Sequence, residues 1–146
     1  MDLEHDMEFT RRHVLAIGSG TLASASLIGA PSLADPVEDA IRAITGGSEP
    51  GRDRITITAP EIAENGHNVP VDLSAPGAVA ITLLADGNPE PGVAHFRFGP
   101  LSGAQSASTR VRLAQTQNVI AIAEMADGSY QMAQTHVKVT IGGCGG

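Results

Sequence analysis

The sequence predicts an all-β protein: an immunoglobulin-like antiparallel β-sandwich with a short N-terminal helix and a flexible C-terminal Gly-Gly-Cys-Gly-Gly arm. Three observations carry that reading. Between Ile55 and Ile141 apolar residues recur with period two in six or seven short runs, and clusters of Gly, Pro, Asn and Asp separate the runs. A helical period appears only in one short stretch, and the chain shows neither an internal repeat nor a heptad.

The helix is justified by its ends as much as by its face. Asp35 is a capping residue, Pro36 suits the first helical position, and Glu38 lies three residues beyond the cap. Val37, Ala40, Ile41 and Ile44 fall at i, i+3, i+4 and i+7, and Gly46-Gly47 ends the run.

The strands follow in order. Ile55 and Ile57 alternate with threonines, Val69 and Val71 precede a break at Pro76-Gly77, and Val79, Ile81 and Leu83 come next on one face. A polar loop from Asp86 to Gly92 leads into "HFRFGP", and then to "STRVRLA", "NVIAIAEMA" and "SYQMAQTHVKVTI". Asp127-Gly128 between the last two runs is the strongest hairpin signal. Two strands are apolar on both faces: Val119, Ala121 and Ala123 alternate with Ile120 and Ile122, and Val79, Ile81 and Leu83 alternate with Ala80 and Leu84. One face builds the core; the other, extended by Tyr130 and Met132, needs a cover, either a second protein or the opening helix.

Residues 1–34 read as an address. Thr10, Arg11 and Arg12 form a paired-arginine region ahead of a weakly apolar run from Val14 to Leu33, and Ser32-Leu33-Ala34 fits the small-x-small pattern of a cleavage site after Ala34. Small and polar residues dilute the run too much for a membrane anchor, and the pattern is that of the twin-arginine signal, whose machinery exports folded proteins. The acidic start, Asp2, Glu4, Asp6 and Glu8, is unusual before such a motif. The expected organisation is therefore a signal peptide over 1–34, a sandwich over 35–141 and a cysteine arm over 142–146. Without the leader's four acids and two arginines the chain retains seven positive and twelve negative charges, or −5. That balance and an aromatic content of 3% argue against nucleic acid and anionic membranes as partners.

The domain offers little catalytic apparatus. His67, His95 and His136 match no metal-ligand spacing, no carboxylate–His cluster or nucleophile elbow is present, and the expected metal set and catalytic set are both empty. Glu61, Glu64, Asp86 and Glu90 sit in loop-like segments as solvating charges, and Arg110 and Arg112 share a solvated strand face.

The exception is Cys144, the single cysteine. In an exported chain it is buried and inert, paired with another chain, or chemically used. Gly142, Gly143, Gly145 and Gly146 provide no side chains to bury it and leave the backbone maximal freedom. Three residues beyond Ile141 give the thiol a reach of roughly 10 Å. With no base or cation in the arm, activation has to come from a partner. The residues alone thus propose a rigid sandwich that presents one sulfur on a swinging arm.

These features resemble the SoxY family, the sulfur-compound carrier subunits of the periplasmic thiosulfate-oxidising Sox system. The likeness lies in the terminal GGCGG and in "APEIAENGHNVPV", "FRFGP", "STRVRLAQTQNVIAIAE", "DGSY" and "KVTIGGCGG". The resemblance implies covalent sulfur attachment at Cys144, no cofactor beyond the bound sulfur intermediates, and a flexible arm of Gly142, Gly143, Gly145 and Gly146. It implies a non-enzymatic carrier that a c-type haem enzyme conjugates, a manganese-dependent hydrolase relieves of sulfate, and a sulfur dehydrogenase oxidises. It also implies a SoxZ-like subunit as heterodimer partner, with the apolar second face as its docking place, and periplasmic export through Arg11 and Arg12. Two rivals predict otherwise: an adhesion-like sandwich joined by an interchain disulfide, and a carrier with a terminal Gly-Gly thiocarboxylate, whose fold would be built on a long helix.

Overall fold

The computed structural model describes residues 35–142. Helix α1 (Pro36–Thr45) forms as its ends dictate: the Asp35 carboxylate accepts from the Val37 N–H at 3.1 Å, and Gly46, at φ 62°, closes the last turn with its N–H on the Arg42 carbonyl. That left-handed turn favours glycine.

Eight strands follow: β1 (Thr56–Thr58), β2 (Ile62–Ala63), β3 (Val69–Ser74), β4 (Ala78–Ala85), β5 (Gly92–Arg97), β6 (Ser106–Val111), β7 (Gln117–Met125) and β8 (Tyr130–Val139). They make a three-stranded sheet in the order β1-β3-β6 and a five-stranded sheet in the order β2-β8-β7-β4-β5. The antiparallel sandwich expected from the sequence is present, but with eight strands rather than six or seven, and the additional short strand β2 runs parallel to β8, pairing Ile62 with Lys138 and Ala63 with Val139. Pro70 is tolerated in β3 because β1 pairs only with Asp72–Ser74, so no neighbour on that side needs its missing N–H.

The period-two pattern fills the space between the sheets. Val69, Val71, Leu73, Val111 and Leu113 from the smaller sheet's side meet Ile81, Leu83, Val119, Ala121, Ala123 and Val137 from the larger. Val79 is a correction: it is 39% exposed rather than in line with Ile81 and Leu83, because the pairing of β4 with β7 slips between Ala78 and Ala80 and rotates the strand's first residues. The turn at Asp127-Gly128 is as expected, with Gly128 at φ 82° and the Asp127 carboxylate accepting from the Ser129 N–H at 2.9 Å.

The second apolar face is covered from within. Val37, Ala40, Ile41 and Ile44 of α1 pack on Leu84, Ile120 and Ile122, with Tyr130 and Met132 at the margin. Of the two covers the sequence left open, the opening helix is the one present on this face, which corrects the docking of a partner subunit directly on the sheet there: α1 takes Val37, Leu84, Ile120 and Ile122 out of water and leaves Ile41, Ile44, Tyr130 and Met132 half-buried. The link from α1 to β1 is pinned across the same edge. Gly51 donates to the Tyr130 carbonyl at 2.9 Å and accepts from Met132 at 2.8 Å, while the buried Gln131 Oε1 accepts from the N–H groups of Asp53 and Arg54.

Candidate functional site: the end of the last strand

The segment of chemical interest begins where β8 stops. Three loops hold that point in place. From the loop around β2, the Ala63 carbonyl accepts from the Thr140 N–H at 3.0 Å, the Glu64 carbonyl accepts from the Thr140 hydroxyl at 2.9 Å, and the Gly66 N–H donates to the Ile141 carbonyl at 2.8 Å. From the loop between β6 and β7, the Thr116 hydroxyl accepts from the Val139 N–H at 3.0 Å and donates to the Val139 carbonyl at 3.3 Å. Gly66 also accepts from the Leu113 N–H at 2.7 Å, which ties these two loops together.

The third loop, between β4 and β5, acts through Asn88. Its amide donates to the Arg112 carbonyl at 2.9 Å and accepts from the Ala114 N–H at 2.9 Å. Buried Gln117 completes the network: its amide nitrogen donates to Asn88 Oδ1 at 2.9 Å and to the Gln115 carbonyl at 3.0 Å, and its oxygen accepts from the Gly87 N–H at 2.7 Å. The result is a fixed turn at Arg112–Ala114 whose Ala114 carbonyl faces Gly142. A Cβ at residue 142 would overlap that carbonyl oxygen. Gly142 is therefore required for close backbone approach. The chain is hydrogen-bonded as far as Ile141, whose side chain is 67% exposed.

Of the residues singled out in the sequence, Gly142 lies at this rim. Cys144, Gly143, Gly145 and Gly146 lie outside the described residues, as do Arg11, Arg12 and the expected cleavage point after Ala34. His67 follows Gly66, whose N–H meets the Ile141 carbonyl, and donates its own N–H to the Asn65 side chain. His95 pairs instead with the Thr82 hydroxyl at 2.9 Å, and His136 with Asn118, which Asp86 holds through two hydrogen bonds at 2.8 and 2.7 Å. The structure thus does not gather the three histidines. Among the described residues, no three or more His, Cys, Asp or Glu side chains are grouped to hold a metal ion, and no helix is long and apolar enough to cross a membrane. Arg110 and Arg112 are both exposed, but only Arg110 is in β6; Arg112 lies just past the strand's end, in the turn that Asn88 holds. Asn88, Ala114 and Gln117 had no signal in the sequence, since amide hydrogen bonds between loops and the start of a strand leave no periodicity.

Fold and site together define a class: a small two-sheet β scaffold that braces the exit of a glycine-rich segment with three loops. The comparisons then supply the family. The family model for the sulfur oxidation protein SoxY matches residues 41–144, and the chain belongs to the SoxY family. Among solved structures, the chain is similar to the sulfur carrier protein SoxY from Chlorobium limicola f thiosulfatophilum, at 39% identity and a TM-score of 0.61, covering 73% of this chain and 97% of that one. A superoxide reductase (neelaredoxin) from Ignicoccus hospitalis matches at 19% identity and a TM-score of 0.53, over 60% of this chain and 80% of that one, a likeness of fold alone. No curated protein matches at a comparable level.

Proposed function

We propose that this chain is a covalent sulfur carrier of the Sox system, loaded at Cys144. Membership of the SoxY family and the 39% identity to a sulfur carrier protein support a carrier role in that system. The observation that carries the site assignment is that the family match runs to Cys144 itself, two residues past the braced Gly142.

The chemistry balances as follows. The Cys144 thiol and the outer sulfur of thiosulfate form an S–S bond; an electron pair passes to a c-type haem enzyme and a proton to water. A hydrolase then adds water across the bond between sulfur and the sulfonate group, releasing sulfate and a proton and leaving a persulfide on Cys144. Oxidation of that outer sulfur by a dehydrogenase, which accepts six electrons while three waters supply the oxygens and seven protons pass to solvent, gives a second sulfonate, and a second hydrolysis releases it as sulfate with a proton and restores the thiol. The carrier's own contribution is tethering, which turns each encounter with a reactive intermediate into delivery from a fixed point. Gly143, Gly145 and Gly146 would give the segment a swinging motion and a slim profile for narrow enzyme channels.

In this reading residues 1–34 direct twin-arginine export to the periplasm through Arg11 and Arg12, residues 35–141 are the scaffold and 142–146 the arm. The chain works as a heterodimer with a SoxZ-like subunit, docked elsewhere than on the face that α1 covers. The test is complementation of a deletion strain: the wild-type gene restores thiosulfate oxidation and Cys144→Ala does not. Full restoration by the alanine form would refute the assignment.

A further inference from the structure

We infer that Asn65-Gly66 is a site of spontaneous deamidation that the end of β8 holds shut, so that a lasting release of that strand end becomes a permanent change in the loop that grips it. This chemistry needs nothing from Cys144 and goes beyond the carrier reading. The chain has four asparagines, and the residues that follow them differ in what they allow. Deamidation begins when the backbone nitrogen of the next residue attacks the asparagine side-chain carbonyl carbon. Pro89 after Asn88 has no N–H to give up, and the branched Val69 and Val119 after Asn68 and Asn118 crowd the attacking nitrogen. Gly66 after Asn65 has no side chain to do so, and its backbone is the freest to turn toward the carbon. The Gly66 nitrogen bonds to that carbon, its proton leaves with the side-chain nitrogen as ammonia, and a five-membered imide results. One water then opens the ring at either carbonyl, to aspartate or to isoaspartate, with no oxidant or reductant involved.

The fold blocks this reaction at its nucleophile. Gly66 is buried; its N–H donates to the Ile141 carbonyl at 2.8 Å, and its own carbonyl accepts from the Leu113 N–H at 2.7 Å. On the other side of the bond to be formed, the Asn65 side-chain oxygen accepts from the His67 N–H at 2.9 Å. A buried nitrogen that donates its proton to a carbonyl neither loses that proton nor turns toward a side chain until the hydrogen bond opens. The guard therefore belongs to β8 and the residues just past it. Ile141 stays in place because Thr140 bonds to Ala63 and Glu64, and because Thr116 bonds to Val139. Isoaspartate would then make a release permanent. It adds one backbone carbon between Glu64 and Gly66, and the groups that hold the strand end, the Ala63 and Glu64 carbonyls and the Gly66 N–H, lie on opposite sides of that insertion. A lengthened backbone cannot meet both Thr140 and Ile141 as before.

The test follows ammonia release, and isoaspartate at residue 65 by peptide mapping, in the full chain at mildly alkaline pH, both folded and in enough urea to unfold it. The folded chain is expected to convert at least about tenfold more slowly than the unfolded one, the factor that one buried hydrogen bond supplies. Thr116→Val and Thr140→Val, which remove hydroxyls that hold the strand end, should speed conversion of the folded chain several-fold and leave the rate in urea unchanged. Hydrogen exchange reads the consequence. The isoaspartate form should exchange the Gly66 and Thr140 amides at least about tenfold faster than the wild type, whereas Asn65→Asp, which adds the charge without the backbone carbon, should keep near wild-type protection. Equal rates in the folded and unfolded wild-type chain would overturn the guard, and faster conversion at Asn68 or Asn118 would overturn the site. Wild-type exchange in the isoaspartate form would overturn the permanent release. The comparison with the unfolded wild type decides the guard even if neither valine variant folds.

Discussion

Ile122 lies under α1 at 1% exposure, and Leu83 lies between the two sheets at 0%, so truncating each to alanine probes the two halves of the core separately. Either change deletes three carbons, a transfer loss of about 2.4 kcal/mol at ~0.8 kcal/mol per methylene. The cavity adds at most about 2 kcal/mol, at ~24 cal/mol per Å³ of space left unfilled. How much of that second quantity is felt depends on whether the walls can close. Around Leu83 they are paired strands on both sides, and the full cost applies, about 4 kcal/mol. Above Ile122 the wall is a ten-residue helix that can settle inward, which limits the cost to about 3 kcal/mol. Urea unfolding followed by circular dichroism should show both losses with unchanged m-values. Val37→Ala combined with Ile122→Ala should reveal a coupling of at least about 0.5 kcal/mol, since both residues belong to the helix–sheet cluster. A loss below about 1 kcal/mol for Ile122→Ala, with no coupling to Val37, would mean that the helix does not seal this face in solution, and the face would again be open to a partner.

Two further outcomes follow from polar groups. Replacing Gln131 by Met preserves bulk but leaves the Asp53 and Arg54 N–H groups without their acceptor, and should cost about 1–2 kcal/mol in the same unfolding assay. The Asp127 carboxylate, held by the hydroxyl and N–H of Ser129 and by Arg54, has its pKa lowered from 3.8 to about 2. Because the folded value is the lower one, the stabilisation is complete above pH ~4 and is lost as pH falls towards ~2. An NMR titration should find Asp127 near 2 in the wild type and closer to 4 in Ser129→Ala, and an unmoved titration would refute that cause.

Much of the scaffold was legible because local chemistry specifies it. Asp35, Pro36 and Gly46 mark a helix whose bounds need no tertiary information, and Asp127-Gly128 fixes a hairpin by turn geometry alone. The two-faced strands were legible as needing cover, but a pattern of apolar residues does not say whether the cover comes from the same chain; the packing of Ile41 and Ile44 on Ile120 and Ile122 does. The parallel pairing of β2 was illegible, since Ile62 and Lys138 are far apart in sequence and two residues carry no periodicity. The slip at Val79 was hidden for a similar reason: alternation assumes an even register, and a bulge breaks it. In the site, the sulfur-bearing motif stood out by composition. The contact at Gly142 did not, because a glycine chosen for freedom and a glycine chosen for close approach look the same in a sequence.

The most direct measurement is the intact mass of the protein purified without reductant from cells oxidising thiosulfate, beside its Cys144→Ala form. Adducts of sulfane and sulfonated sulfur on the wild-type chain, mapped by peptide analysis to Cys144 and absent from the alanine form, are the expected result. A wild-type mass showing only free thiol or a disulfide-linked dimer, in cells that oxidise thiosulfate equally well with Cys144→Ala, would contradict the carrier function.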